Sequence, residues 1–298
     1  MSSARRPNLA SAEVSGSWRS CSWPGHSVDA PCRNSYTPPH MAVGWGGSAG
    51  SDRIRPPCPQ LWCLPFGDTS AALAAVRGRL PPEEAGGISR QTTSRQAQHL
   101  IGRALLRSTL STIFGGAPAS WRLRYEPTGR LALEGNDSAA PVAISISHTE
   151  GLVTCAVAAG TEGIGVDCER RGRNFEFTSL AENLFADTEA AVVGRAHGSD
   201  VEDCFLSLWT LKEAYAKARG LGLTLPLDTA VFTLPEDSGD EHVAVRFPRF
   251  DDDPARWTFL RPFSVGSSHV VAAAKCHGSV GNSEQSWNVQ MFQLEELT

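Results

Sequence analysis

Gly163-Ile-Gly-Val-Asp167-Cys-Glu169 and, further along, Trp209-Thr-Leu-Lys212-Glu213-Ala-Tyr-Ala-Lys217 decide how this chain is read. In a strand, alternate side chains share a face. Ile164, Val166 and Cys168 then point into a core, while Asp167 and Glu169 point together to the other side, where Gly163 and Gly165 leave open space. The second stretch has helical spacing, which puts Glu213 and Lys217 one turn apart on one face. Lys212 falls about 100° around that helix from Glu213. Three carboxylates converging with one ammonium suit a hard divalent cation that holds phosphate oxygens. Each piece alone has a plainer reading. Asp167 and Glu169 would be solvated acids on a strand end, and Glu213 with Lys217 a surface pair worth about 0.3–0.5 kcal/mol.

Lysine usage sharpens the second motif. Of 27 basic residues only Lys212, Lys217 and Lys275 are lysines, and two of the three lie in this one helix. Where arginine is the default cation, a lysine marks a place that needs a compact ammonium. The net charge of −5 does not suggest a general nucleic-acid binder. No window approaches the ~20 apolar residues of a membrane span, and no secretory signal opens the chain. Cys155, Cys168 and Cys204 lie in apolar stretches and read as buried thiols, which fits a reducing cytoplasm. Cys21, Cys32, Cys58 and Cys63 lie in or near an irregular segment, with no Cys-X-X-Cys pair, and a zinc site there is the minor alternative.

Residues 1–58 are rich in Ser, Pro, Gly and Arg and have no apolar periodicity. They read as disordered, or as an extension from a start codon placed upstream of Met41. A mitochondrial presequence is the alternative, with six Arg and three acids but no traceable amphipathic helix. A first unit is expected over residues 59–160. It contains a long helix from Ser94 to Phe114, stopped by Gly115-Gly116, and strands over Val142–Ser147 and Leu152–Ala158. A second unit, residues 161–277, contains a strand over Ile164–Glu169, the motif helix over Cys204–Arg219 ended by Gly220, and four later strands. Helices packed on antiparallel strands give an α+β fold class. Residues 278–298 read as a polar tail.

The two motifs together resemble the signature of the Sfp-type 4′-phosphopantetheinyl transferase family. That family carries Gly-(Ile/Val)-Asp-X-Glu and then Trp-(Ser/Thr)-X-Lys-Glu-Ala-X-X-Lys-X-X-Gly-X-Gly-Leu. The second pattern matches Trp209 to Leu223 throughout. The resemblance spans residues 61–277 and is strongest over 144–169 and 205–227. It implies two similar subdomains related by a pseudo-twofold, with the active site between them, the first binding coenzyme A and the second carrying the metal and catalytic motifs. It further implies a magnesium-dependent enzyme, of the holo-acyl-carrier-protein synthase type, working as a monomer. Such an enzyme moves 4′-phosphopantetheine from coenzyme A to a serine of an apo acyl or peptidyl carrier protein and releases adenosine 3′,5′-bisphosphate.

Residue by residue, the resemblance casts Asp167, Glu169 and Glu213 as Mg²⁺ ligands. Glu213 also acts on the nucleophile's proton, and Lys217 binds a phosphate oxygen. Ile146-Ser147-His148-Thr149 resembles the family's Ile-Ser-His-Ser segment, which makes Ser147 and His148 coenzyme A contacts. Pro127-Thr-Gly129-Arg130 resembles its Gly-Lys-Pro turn, with Arg130 in the Lys place and Leu131 where Pro is usual. Basic residues ahead of the long first helix hold the 3′-phosphate in the family. Arg90 and Arg95 stand nearest to that role here, with irregular spacing. Two rivals belong to other classes. A non-catalytic carrier-binding relative would have lost a metal acid, and a phosphoesterase would leave the Gly220-Leu-Gly222-Leu223 match unexplained. Removal of residues 1–58, which have no core-forming pattern, is expected to leave melting temperature and turnover nearly unchanged. A large fall in either would show that the segment packs on the folded part.

Overall fold

A computed structural model describes residues 58–297 apart from 90, 136–140, 223–224, 235–242, 250–251 and 278–286. The reading of the N-terminal extension therefore lies almost wholly outside the described residues. The described chain is a mixed helix-and-sheet protein with a long helix on each of two sheets.

The first sheet has the order β11-β1-β5-β4, from β1 (Gln60–Pro65), β4 (Val142–Thr149), β5 (Leu152–Ala159) and β11 (Asn288–Met291). Between β1 and β4 run α1 (Thr69–Val76), α2 (Pro82–Gly86), α3 (Ser94–Phe114) and a hairpin of β2 (Leu123–Tyr125) and β3 (Leu131–Leu133). Helix α3 begins at a reciprocal cap. Thr93 Oγ1 accepts from the Gln96 amide, and the Gln96 side chain accepts from the Thr93 amide. It ends at Gly115, whose φ of +77° closes the helix. Its Ala97, Ile101, Ala104, Leu105 stripe is buried with Ile144, Val153 and Val157 of the sheet.

The second sheet has the order β6-β10-β9, from β6 (Thr161–Arg170), β9 (Trp257–Val265) and β10 (His269–His277). Helices α4 (Phe177–Leu184), α5 (Asp187–Arg195) and α6 (Asp200–Arg219) belong to this half, with a small hairpin of β7 (Val231–Thr233) and β8 (Ala244–Arg246). Helix α6 carries Asp200, Glu202 and Asp203 in its first turn and Lys217 and Arg219 in its last. Both ends thus complement the helix dipole. Gly220 ends it in the left-handed conformation at φ +69°. The other faces of the two sheets share a core that includes Leu61, Cys63, Ala156, Ile164, Val166, Cys168 and Val271.

Two findings depart from the sequence reading. The segment taken as a polar tail supplies β11, which pairs in parallel with β1, and places Phe292 and Leu297 in the first half's core. Four residues of one strand give too little pattern for recognition, because their partner lies at the far end of the chain. The space beside Gly163 and Gly165 is not open. The backbone of α6 fills it. A Cβ added at Gly163 would overlap the Ala218 carbonyl, and one at Gly165 the Ala214 carbonyl. Small residues on both elements let the helix lie directly on β6, and this sets the height of Glu213 and Lys217 above Asp167.

Gly165→Ala is therefore expected to lift α6 off the strand and destabilise by about 1–3 kcal/mol, the range for overpacking. Gly67→Ala, where an added Cβ meets nothing within 4 Å, is the control. Chemical denaturation of both variants checks this. Equal, small effects would refute the close-contact account.

Candidate functional site

Strands β4 and β6 are edges of their respective sheets, and they face one another without a backbone ladder between them. Amides on that side of β6 need other partners. Two serine hydroxyls of β4 supply them. Ser145 Oγ accepts from the Val166 amide at 3.1 Å, and Ser147 Oγ accepts from the Cys168 amide at 3.4 Å. The candidate site lies on this seam.

Asp167 is buried beneath α6. Its Oδ1 accepts from Ser147 Oγ at 2.9 Å and from Lys217 Nζ at 2.7 Å. Lys217 also donates to Ser147 Oγ and to the Val166 carbonyl, both at 3.0 Å. All three ammonium protons thus have acceptors, and the neighbouring acids outweigh burial and hold its pKa above the usual lysine value. The i,i+4 surface pair with Glu213 is not the pair that forms. Lys217 reaches across to the strand instead. Glu213 is itself buried, and its Oε1 has no hydrogen-bond partner; Asp167 Oδ2 has none either. Glu169 pairs with Arg173 at 3.0 Å. Burial first, and then the charge of Asp167, push Glu169 and Glu213 each up to about 7.

Among the described residues, no three His, Cys, Asp or Glu side chains are gathered closely enough to cage a metal ion. The donor set nevertheless fits a hard cation. Two buried carboxylate oxygens lack partners, and two glutamates are held toward protonation by burial and then by the charge of Asp167, which Lys217, and for Glu169 also Arg173, only partly offset. A divalent ion that keeps several waters needs few protein oxygens.

Around this centre, His148 at the end of β4 sits with its ring edge-on to His99 of α3, centroids 6.0 Å apart. Burial, then the positive neighbours His99, Lys217 and Arg95, push His148 down to about 4, so it is neutral near pH 7. Arg95 is exposed on the first turn of α3. Arg90 lies outside the described residues. The hydroxyl of Ser147 spends its donor on Asp167 and both acceptor positions on Lys217 and Cys168, which leaves none for a ligand. Arg130 is held by Glu126 at 2.9 and 3.2 Å and lies beside Gly220. A cavity of about 380 Å³ lined by Arg130, Leu131, Ile144 and Glu162 opens there, and none of the three acids or Lys217 lines it.

Sequence reasoning did not single out His99 or Arg173. Arg95, His99 and Arg103 recur every fourth residue along α3, a basic stripe that was available as a signal. Arg173 follows β6 in irregular chain, past a left-handed turn at Gly172, and had no such signal. Lys212 is no part of the site. Its ammonium is buried against Glu189 at 2.7 Å and the carbonyls of Leu227 and Ala230 at 2.8 and 2.6 Å.

Comparison with known proteins gives this arrangement a family. The profile of the 4′-phosphopantetheinyl transferase superfamily matches residues 163–274, the span from β6 through β10. The chain is 30% identical over 173 residues to the 4′-phosphopantetheinyl transferase ffp of Bacillus subtilis, covering 58% of this chain and 71% of that one. It is 26% identical over 199 residues to the transferase Sfp of Bacillus subtilis strain 168, covering 66% and 80%. With the transferase HetI of a Nostoc species it shares 28% over 164 residues, covering 55% and 69%. The chain belongs to the 4′-phosphopantetheinyl transferase family and is a transferase of that kind.

The raised glutamates set a pH test. With folded values near 7 against an ordinary 4.5, the folded protein binds more protons than the unfolded one between those limits. Their contribution to stability therefore falls as pH rises through that window. A bound cation relieves the penalty, most fully where both glutamates are ionised. The rise in melting temperature on adding Mg²⁺ is expected to grow from about pH 5.5 to about pH 8. Histidines titrate in both arms and cancel in the difference. No Mg²⁺ stabilisation at any pH would mean that these acids do not form a cation site.

Proposed function

We propose that this enzyme transfers 4′-phosphopantetheine from coenzyme A to a serine hydroxyl of an apo acyl or peptidyl carrier protein, with Mg²⁺, releasing adenosine 3′,5′-bisphosphate. The observation that carries the reading is the placement, across one seam, of Lys217 on Asp167 with unpartnered buried oxygens on Asp167 and Glu213. This is a partly neutralised acid cluster beside a saturated ammonium, framed by the family's motif. The same reading takes residues 59–160 and 161–277 as subdomains related by a pseudo-twofold, within a cytoplasmic monomer. One long helix on one sheet in each half supports it.

Asp167, Glu169 and Glu213 would hold the Mg²⁺, which when bound neutralises pyrophosphate oxygens and favours departure of the nucleotide. The chain's own groups do the rest. The carrier serine Oγ attacks the β-phosphorus, and the bond from that phosphorus to the bridging oxygen breaks. The electron pair leaves on the α-phosphate of the nucleotide. Glu213, held near neutrality with a free oxygen, takes the serine proton. Lys217 offsets charge on the phosphate oxygens. Arg95 and neutral His148, with His99 beside them, face the nucleotide phosphates as donors, and Arg90 and Arg130 are further coenzyme A contacts. Most of the catalysis is positioning and charge neutralisation.

Incubation of an apo carrier protein with coenzyme A and Mg²⁺ is expected to add the mass of phosphopantetheine. Hydrolysis of coenzyme A without that gain would favour a phosphoesterase. Lys217→Arg preserves charge, but its broad planar head cannot meet the three acceptors that the ammonium satisfies. Turnover is expected to drop by on the order of tenfold to a thousandfold, about 1.4–4 kcal/mol of transition-state stabilisation. Modification at the wild-type rate would remove Lys217 from the chemistry.

A further inference from the structure

We propose that Ser147 is a positioning residue, not a coenzyme A contact, and that its hydroxyl sets Asp167 and Lys217 in register across the seam. This rests on the transferase reading above but assigns a residue role that the reading does not need.

The geometry is one atom serving three partners. Ser147 Oγ accepts from the Cys168 amide at 3.4 Å, which ties it to β6. It accepts from Lys217 Nζ at 3.0 Å, which ties it to α6. It donates to Asp167 Oδ1 at 2.9 Å. Lys217 meets that same Oδ1 at 2.7 Å. Both donors therefore converge on one oxygen and leave Oδ2 buried without a partner. Oδ2 is thereby the oxygen presented to a cation. Ser147 is itself buried, and its donor and both acceptor positions are filled, so a ligand could bond to it only by breaking this network. Among the described residues, no other side chain bonds both Asp167 and Lys217. Ser145, two residues earlier on the same face, accepts from the Val166 amide in the same way, so the seam survives loss of one hydroxyl.

Two measurements test this, one independent of the transferase reading. With only three lysines in the chain, ¹⁵N-lysine labelling gives three side-chain signals, and the ammonium groups of Lys212 and Lys217 are buried or bonded enough to be observed. In Ser147→Ala, the Lys217 signal, assigned by its absence in Lys217→Arg, is expected to shift or broaden while that of Lys212 stays in place. In the same variant, turnover at saturating coenzyme A is expected to fall at least tenfold, with the dissociation constant for coenzyme A by calorimetry changed less than twofold. Ser147→Thr, which keeps the hydroxyl, is expected to recover most of the rate. Weaker coenzyme A binding with unchanged saturated turnover would make Ser147 a substrate contact and overturn the proposal. An unmoved Lys217 signal would overturn it as well. If the wild-type protein modified no carrier, the lysine spectra would still decide whether Ser147 holds Lys217, so the two failures are separable.

Discussion

The site depends on how closely α6 lies on β6. Two glycines on the strand and two alanines on the helix remove every side chain from that contact, so backbone meets backbone. Dense packing there leaves no room for adjustment. A helix one methyl group farther away would leave Lys217 short of the Val166 carbonyl and of the β4 hydroxyl beyond it. Close approach also buries Asp167 and Glu213. The spacing that brings the groups together is thus the same spacing that strips them of water.

Helix α6 carries two lysines with opposite fates. Lys212 is closed off. Its three protons go to Glu189 and two carbonyls, and Glu189 accepts the Phe232 amide on its other oxygen at 2.8 Å. Phe185 and Phe232 cover the ammonium at 5.1 and 5.6 Å. A buried pair so completely satisfied fixes α5, α6 and the start of β7 against one another, and removing either partner would strand the other charge. Lys217 has three acceptors too, but the acids around it do not close. Two carboxylate oxygens remain unpaired, and two glutamates sit near neutrality. Buried polar groups in proteins are normally satisfied, so the unbalanced acids beside a balanced pair on the same helix are what make this seam the candidate site.

Local pattern made much of this legible. Helix α3 falls where its periodicity puts it, from Ser94 to Phe114, because a cap and a glycine pair mark both ends. Alternation found β4, β5 and β6, and the core face of β6 is the one that Ile164, Val166 and Cys168 define. What stayed hidden depends on distant partners. Strand β11 exists only because β1 lies beside it. The glycines of β6 signalled space without saying what fills it. Spacing alone put Lys217 beside Glu213, since an i,i+4 rule knows nothing of a strand beneath the helix. The four-residue spacing of Arg95, His99 and Arg103 was legible, but not that His99 meets His148, which belongs to another element.

The break between the two sheets explains why the site is where it is. Had β4 and β6 paired as a continuous ladder, the Val166 and Cys168 amides would have met backbone carbonyls, and a carbonyl only accepts. A serine hydroxyl at the same place accepts from the amide and still has a proton to give. Ser147 gives that proton to Asp167. The seam therefore gives two amides of the β6 edge their partners, and in doing so supplies a donor inside the protein where Asp167 is held. The break between the sheets thus turns a stretch of passive hydrogen bonding into the frame of the candidate site.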